Sequence, residues 1–128
     1  MLHHIELYVS QLDRSKEYWS WLLSELQYEK YQEWEQGFSF KYKETYLVFV
    51  QVEDDFKSAG YHRKQIGLNH IAFHASNQTQ VDHLRLQMKK RGYGLLYEER
   101  YPYAGGPDHY ALYGEDPDRI KVEIVARK

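Results

Sequence analysis

The chain has 128 residues, a formal charge of −2 and no cysteine, enough for a single domain with a real core and too little for two. Its near-neutral balance offers no positive field to recruit nucleic acid or an anionic membrane. The absence of cysteine excludes disulfides, thiolate nucleophiles and Cys-type zinc sites. No apolar run approaches the length of a membrane span, and the N-terminus lacks a basic stretch followed by an apolar signal segment, so a soluble cytoplasmic protein is expected.

The first segment, "LHHIELYVS" (Leu2 to Ser10), alternates. Ile5, Leu7 and Val9 fall on one side and His4, Glu6 and Tyr8 on the other, the pattern of a half-buried strand. "QLDRSKEYWSWLLSEL" then places Leu12, Trp19, Leu22, Leu23 and Leu26 at helical spacing, with Ser10 or Asp13 available as a cap. Three strands are expected next, over Tyr28–Trp34, Gly37–Lys43 and Thr45–Val52. Residues from about 53 to 66 are polar and break the periodicity, and read as a linker.

After the linker the order starts again. "GLNHIAFHA" is a strand with Ile71, Phe73 and Ala75 on one face and His70, Ala72 and His74 on the other. "NQTQVDHLRLQMKKRG" is a helix with Val81, Leu84 and Met88 inward, Asn77 or Ser76 as its cap and Gly92 as its stop. The basic run Lys89-Lys90-Arg91 complements the dipole at that helix's end. Three more strands follow, over Tyr93–Arg100, Asp108–Gly114 and Arg119–Ala126, separated by "YPYAGGPD" and "EDPD". The chain thus reads as an α+β fold of two βαβββ repeats, the first over about 2–52 and the second over about 67–128.

Each repeat must bury one sheet face under its own helix. If the two sheets curl toward each other, their other faces line a cleft. His4, Glu6 and Tyr8 would point into it, as would His70 and His74. On the last strand, Ile120, Val122 and Ile124 separate from Lys121, Glu123 and Val125, leaving Glu123 on the polar side of a central-looking strand, where an unpaired carboxylate is costly. Two histidines and a carboxylate from three strands make a set of divalent-metal ligands with positions left open for substrate oxygen. The plainer alternative is a set of hydrogen-bonded or half-exposed polar residues.

The duplicated pattern, with "HHIELYVSQLDRSKEYWSWLL", "GLNHIAFHAS" and "EDPDRIKVEIVA" at its start, middle and end, resembles the vicinal oxygen chelate superfamily over essentially the whole chain. That group contains glyoxalase I, fosfomycin-resistance transferases, extradiol dioxygenases and bleomycin-binding proteins. The resemblance implies one divalent ion (Zn, Ni, Mn or Fe) held by His4, His70 and Glu123. His3 alternates onto the other face and is set aside. Glyoxalase I adds a fourth ligand, a glutamate on the fourth strand, where this chain offers Gln51 as a ligand or substrate contact. The family's "DPDG" turn reads Asp116-Pro117-Asp118-Arg119 here.

What the resemblance implies is a metal-dependent lyase, isomerase or transferase that chelates a small oxygenated substrate through adjacent oxygens. Glu123 would be ligand and base, Glu6 a second candidate base, and Tyr8, Gln51, His74, His109 and Tyr113 substrate contacts. A homodimer is also implied, with the site either shared across chains or built from both halves of one chain. Two alternatives stand beside this: a metal-independent binding protein of the bleomycin-resistance type, and an Fe(II) extradiol dioxygenase.

Overall fold

The structure, a computed structural model, describes residues 1–128. The chain divides into two compact units, Met1–Gly60 and Tyr61–Lys128, each with one four-stranded mixed sheet and one long helix. The boundary falls inside the polar stretch read as a linker. That stretch contains a single helical turn, α2 (Asp54–Lys57), which follows the last strand of the first unit.

In the first unit the strands are β1 (His4–Val9), β2 (Glu29–Trp34), β3 (Gly37–Tyr42) and β4 (Thr45–Gln51), in the spatial order β1-β4-β3-β2. The β1–β4 pair is parallel and sets His4 opposite Tyr46, Glu6 opposite Val48 and Tyr8 opposite Val50. Period-two alternation then commits the other face, with Leu7, Val9, Phe38, Phe40, Leu47 and Phe49, to helix α1 (Leu12–Glu25). Tyr18, Trp19, Leu22 and Leu23 of α1 are fully buried. The Trp19 ring stacks on Phe49 at 4.8 Å between centroids, and Phe49 stacks in turn on Phe38 at 5.0 Å.

The start of α1 departs from expectation. Gln11, rather than Ser10 or Asp13, holds the cap position and contributes no side-chain hydrogen bond. Gln51 does the work from β4, its Oε1 accepting from Leu12 N at 2.9 Å and its Nε2 donating to Ser10 O at 2.8 Å. Strand parity explains this, because Gln51 pairs with Val9 and so lies on the helix side of the sheet. Gln51 is therefore a helix cap rather than a ligand or substrate contact, and the open face of β4 carries Tyr46, Val48 and Val50 instead.

In the second unit the strands are β5 (Ile71–Ala75), β6 (Gly94–Leu96), β7 (Ala111–Glu115) and β8 (Lys121–Ala126), in the order β5-β8-β7-β6. Helix α3 (Gln78–Arg91) packs Val81, Leu84 and Met88 onto the face formed by Phe73, Leu112, Val122 and Ile124. Its termini are as the sequence suggests: Asn77 accepts from Gln80 N at 2.8 Å, and Gly92 ends the helix at φ 75°.

The strands β6 and β7 differ from the sequence reading. The stretch Tyr93–Arg100 holds only three residues of strand, then turns through the left-handed Tyr97 (φ 58°) into one 3-10 turn, Glu98–Arg100. Asp108 to Tyr110 belong to the loop before β7 rather than to the strand. The turn into β8 is built on Asp116, which is 4 % exposed and whose Oδ1 accepts from Asp118 N and Ile120 N, both at 2.8 Å. Arg119 takes φ 65° there, the conformation that glycine adopts without strain.

Two outcomes are expected from this architecture. Gln51→Leu leaves the start of α1 without its cap and should cost about 1–2 kcal/mol in urea denaturation, with divalent-metal affinity unchanged. Lys16 and Lys30 both pair with Glu33, the second at 2.7 Å, and hold its carboxyl at about 2, below the ordinary 4.5. A depressed carboxyl stabilises the folded state above its unfolded value and loses that effect on acidification. The difference in melting temperature between the protein and Glu33→Gln should therefore be small but constant above pH 4.5, and shrink from there toward pH 2.

Candidate functional site

The open face of the second sheet carries the strongest concentration of chemistry. The register places Ala72 and Tyr113 on either side of Glu123, and Lys121 two residues before it on the same face. Glu123 is 5 % exposed, an environment in which a carboxylate needs partners to offset its lost hydration. It has them at both oxygens. His70 Nε2 lies 3.2 Å from Oε1, and His109 Nε2 hydrogen-bonds Oε2. The Tyr113 hydroxyl stands beside the same carboxylate. Burial first, and the charge of Glu123 second, raise its pKa above the usual phenol value and keep it a neutral donor.

The neighbouring atoms assign the proton on His70. Its Nδ1 is 2.7 Å from Asn69 Oδ1, an amide oxygen that can only accept, so the ring carries Nδ1–H. Nε2 is then the nitrogen turned toward Oε1 of Glu123. An approach of 3.2 Å between these two atoms is favourable with a proton on Nε2 or with a cation held between them. The spacing suits a metal ion, since donors about 2.1 Å from one ion at tetrahedral to octahedral angles stand roughly 3.0–3.4 Å apart. A borderline-soft divalent ion is also the natural partner of an imidazole and a carboxylate. An imidazole and a carboxylate so spaced fit the donor chemistry of such an ion, and both stand in this unit. No three or more His, Asp or Glu side chains are grouped so as to hold a metal ion.

The first unit contributes a different surface. His4 stacks on Tyr46 with centroids 4.8 Å apart and 5° between planes. Its Nδ1 is 2.9 Å from His3 Nδ1. His3 precedes β1 and escapes its alternation, so its ring joins His4 rather than turning to the opposite face. With the two Nδ1 atoms engaged, Nε2 of His4 is the nitrogen left to reach a ligand. Glu6 and Tyr8 follow on the same face, both exposed, Tyr8 at 63 %. Tyr31, whose ring lies 5.2 Å from Tyr46, and Trp34 over Gly37 complete an aromatic rim. Strand parity alone would have found Tyr46, but not the bulge that carries Tyr31.

Of the remaining expected residues, His74 is exposed on β5 opposite Val125, away from the carboxylate cluster, whereas His109 and Tyr113 belong to it. Sequence reasoning passed over three participants. Asn69 was detectable as an amide next to a candidate histidine. Lys121, whose Nζ donates to Tyr97 Oη at 3.1 Å and lies over the Tyr97 and Tyr113 rings, was visible as a cation two residues from Glu123. Gly105 carried no signal, because its importance comes from the way the loop folds it onto His109 and Tyr113.

No helix is long and apolar enough to cross a membrane. Residues 3–113 match the Glyoxalase/Bleomycin resistance protein/Dioxygenase superfamily. The chain is 52% identical over 125 residues to YqjT of Bacillus subtilis (strain 168), covering 98% of each. It is also similar, at 57% identity and a TM-score of 0.98, to the crystal structure of a Bacillus halodurans protein described as a candidate glyoxalase, with 99% of this chain and 96% of that one covered. The fold is shared more distantly with the fosfomycin resistance protein FosX of Listeria monocytogenes, at 20% identity and a TM-score of 0.68, covering 100% and 91%. The same holds for lactoylglutathione lyase of Agrobacterium tumefaciens, at 18% identity and a TM-score of 0.67, covering 98% and 92%. With its duplicated sheets and a family match running from the first strand into β7, this chain belongs to the Glyoxalase/Bleomycin resistance protein/Dioxygenase superfamily.

Proposed function

We propose that the protein is a divalent-metal-dependent enzyme of the glyoxalase-like type, acting on a small substrate that presents two adjacent oxygens. The observation that carries this reading is the approach of His70 Nε2 to Oε1 of the buried Glu123, 3.2 Å apart, a spacing that suits two donors to one ion. His70 Nε2 and Glu123 Oε1 would hold the ion, with His4 as the third ligand by its place in the family pattern. Once bound, the ion supplies Lewis acidity toward a chelated carbonyl or hydroxyl oxygen.

The chain's own residues account for the rest. Asn69 engages Nδ1 of His70 and so orients the ring with Nε2 toward the ion. The Tyr113 phenol, neutral at physiological pH, can donate to a substrate oxygen or to Glu123. Lys121, held against Tyr97, places a positive charge on the same sheet face, where it favours substrates that carry or develop negative charge. Glu6 is exposed on the face that carries His4 and serves as the candidate base for proton transfer. The lyase/isomerase and transferase chemistries of the family share this requirement. A homodimer, as in the family pattern, belongs to the same proposal.

One observation favours a second reading. Both oxygens of Glu123 already have imidazole partners, so a proton on His70 would satisfy the cluster without any ion. The open face of the second sheet would then serve as a metal-independent binding surface for a small molecule.

Elemental analysis of the purified protein separates the two. The metalloenzyme reading expects close to one equivalent of Zn, Ni, Mn or Fe per chain. His70→Ala and Glu123→Gln should each weaken binding by more than the roughly 10–100-fold that outer partners of a metal site cost. A chelator should abolish turnover of a vicinal dicarbonyl–thiol adduct or of an epoxide with a thiol. A protein that takes up none of these ions yet binds small oxygenated molecules would sustain the second reading and sink the first.

A further inference from the structure

We propose that His109 is a positioning residue for Glu123: it donates Nε2–H to Oε2 of the carboxylate and so leaves Oε1 as the oxygen available to a cation. This rests on the metal-dependent reading above and adds a role that the family pattern of His4, His70 and Glu123 does not contain. A carboxylate offers only acceptors, so in the His109–Glu123 hydrogen bond the proton belongs to the imidazole. With Nε2 carrying that proton and aimed at Oε2, His109 has no lone pair facing the site and is not a ligand itself.

The loop that carries His109 is built around this contact. His109 lies two residues before β7, so the sheet does not fix its ring. Other bonds do. Tyr110 Oη donates to Asp82 Oδ1 of α3 at 2.6 Å, and Tyr101 donates to the same oxygen. Ala111 N donates to Pro102 O at 2.9 Å and His109 N to Gly106 O at 3.2 Å. Gly105 then passes so close that a Cβ there would lie 2.7 Å from His109 Cδ2 and 2.5 Å from Tyr113 Oη. Only glycine lets the backbone press the imidazole and the phenol together over the carboxylate. A histidine placed merely to fill space would need neither the pinned loop nor the missing side chain.

The role is tested in two measurements, the first on the metal-free protein. Long-range nitrogen–proton NMR of its imidazoles should show His109 in the Nε2–H form, and the Nδ1–H form would overturn the proposal. The second is zinc affinity, by competition with a chromophoric chelator, for the protein and two variants. His109→Phe keeps the ring and loses the donor, and should weaken zinc binding about 10–100-fold, as loss of an outer partner does. His109→Gln keeps an N–H donor and should recover most of that loss. Zinc affinity of His109→Phe within about twofold of the parent would refute a positioning role. Equal, complete loss in both variants, with unchanged circular dichroism, would make His109 a ligand and refute it too. If the parent protein binds no zinc, the metalloenzyme reading falls, while the tautomer of His109 still decides whether it holds Glu123.

Discussion

A carboxylate buried at position 123 is the constraint around which the second unit is organised. Removing an ionised carboxylate from water costs several kcal/mol even after local relaxation, and nothing in β8 itself offsets that cost. The compensation comes from elsewhere: His70 from the lead-in to β5, Tyr113 from β7, and His109 from a loop fastened to α3 through Asp82. Each partner needs its own support, which is why Asn69 and Gly105 matter although neither touches the carboxylate.

The two units show how one pattern can be spent in two ways. Both commit one sheet face to a helix, with Trp19 on Phe49 in the first and Leu84 and Met88 over β7 and β8 in the second. On the opposite faces they diverge. The first unit carries rings there, with His4 stacked on Tyr46 and Tyr8, Tyr31 and Trp34 substantially exposed. The second carries an inward-facing acid and its donors. Aromatic surface binds apolar and flat groups well, while the acid and imidazoles provide for charge and protons. The duplication therefore yields surfaces of complementary chemistry from one topology.

Much of this was legible in the sequence, and the exceptions share a cause. Alternation in "HIELYV" and "KVEIVA" identified the strands and the polar face of each, and the Asn77 and Gly92 signals fixed the ends of α3. These features are set within a few residues of chain. Gln51 was misread because its partner, the start of α1, is 39 residues away, and alternation was counted from the wrong neighbour. His3 was misplaced because a strand's alternation does not extend past its first residue. The 97–110 segment was taken for strand at both ends, since its tyrosines suit a sheet by propensity. There the hydroxyls, which a propensity scale ignores, fold the loop onto Asp82 instead. The candidate site was thus readable as types of residue, and unreadable as a network.

The turn on Asp116 has a bearing on how such a fold can change. On β8 the core residues Val122 and Ile124 interleave with Lys121 and Glu123, so the hydrophobic centre and the polar surface occupy one strand and differ only in odd and even position. Asp116, through its bonds to Asp118 N and Ile120 N, fixes where that count begins. Inserting or deleting one residue between Asp116 and Lys121 would turn the acid toward α3 and Val122 toward solvent, exchanging inside for outside. Length variation among relatives is thus expected to avoid this turn and to collect in loops whose residues are not counted against a sheet. A buried aspartate in an ordinary-looking turn acts as the reading frame for the site.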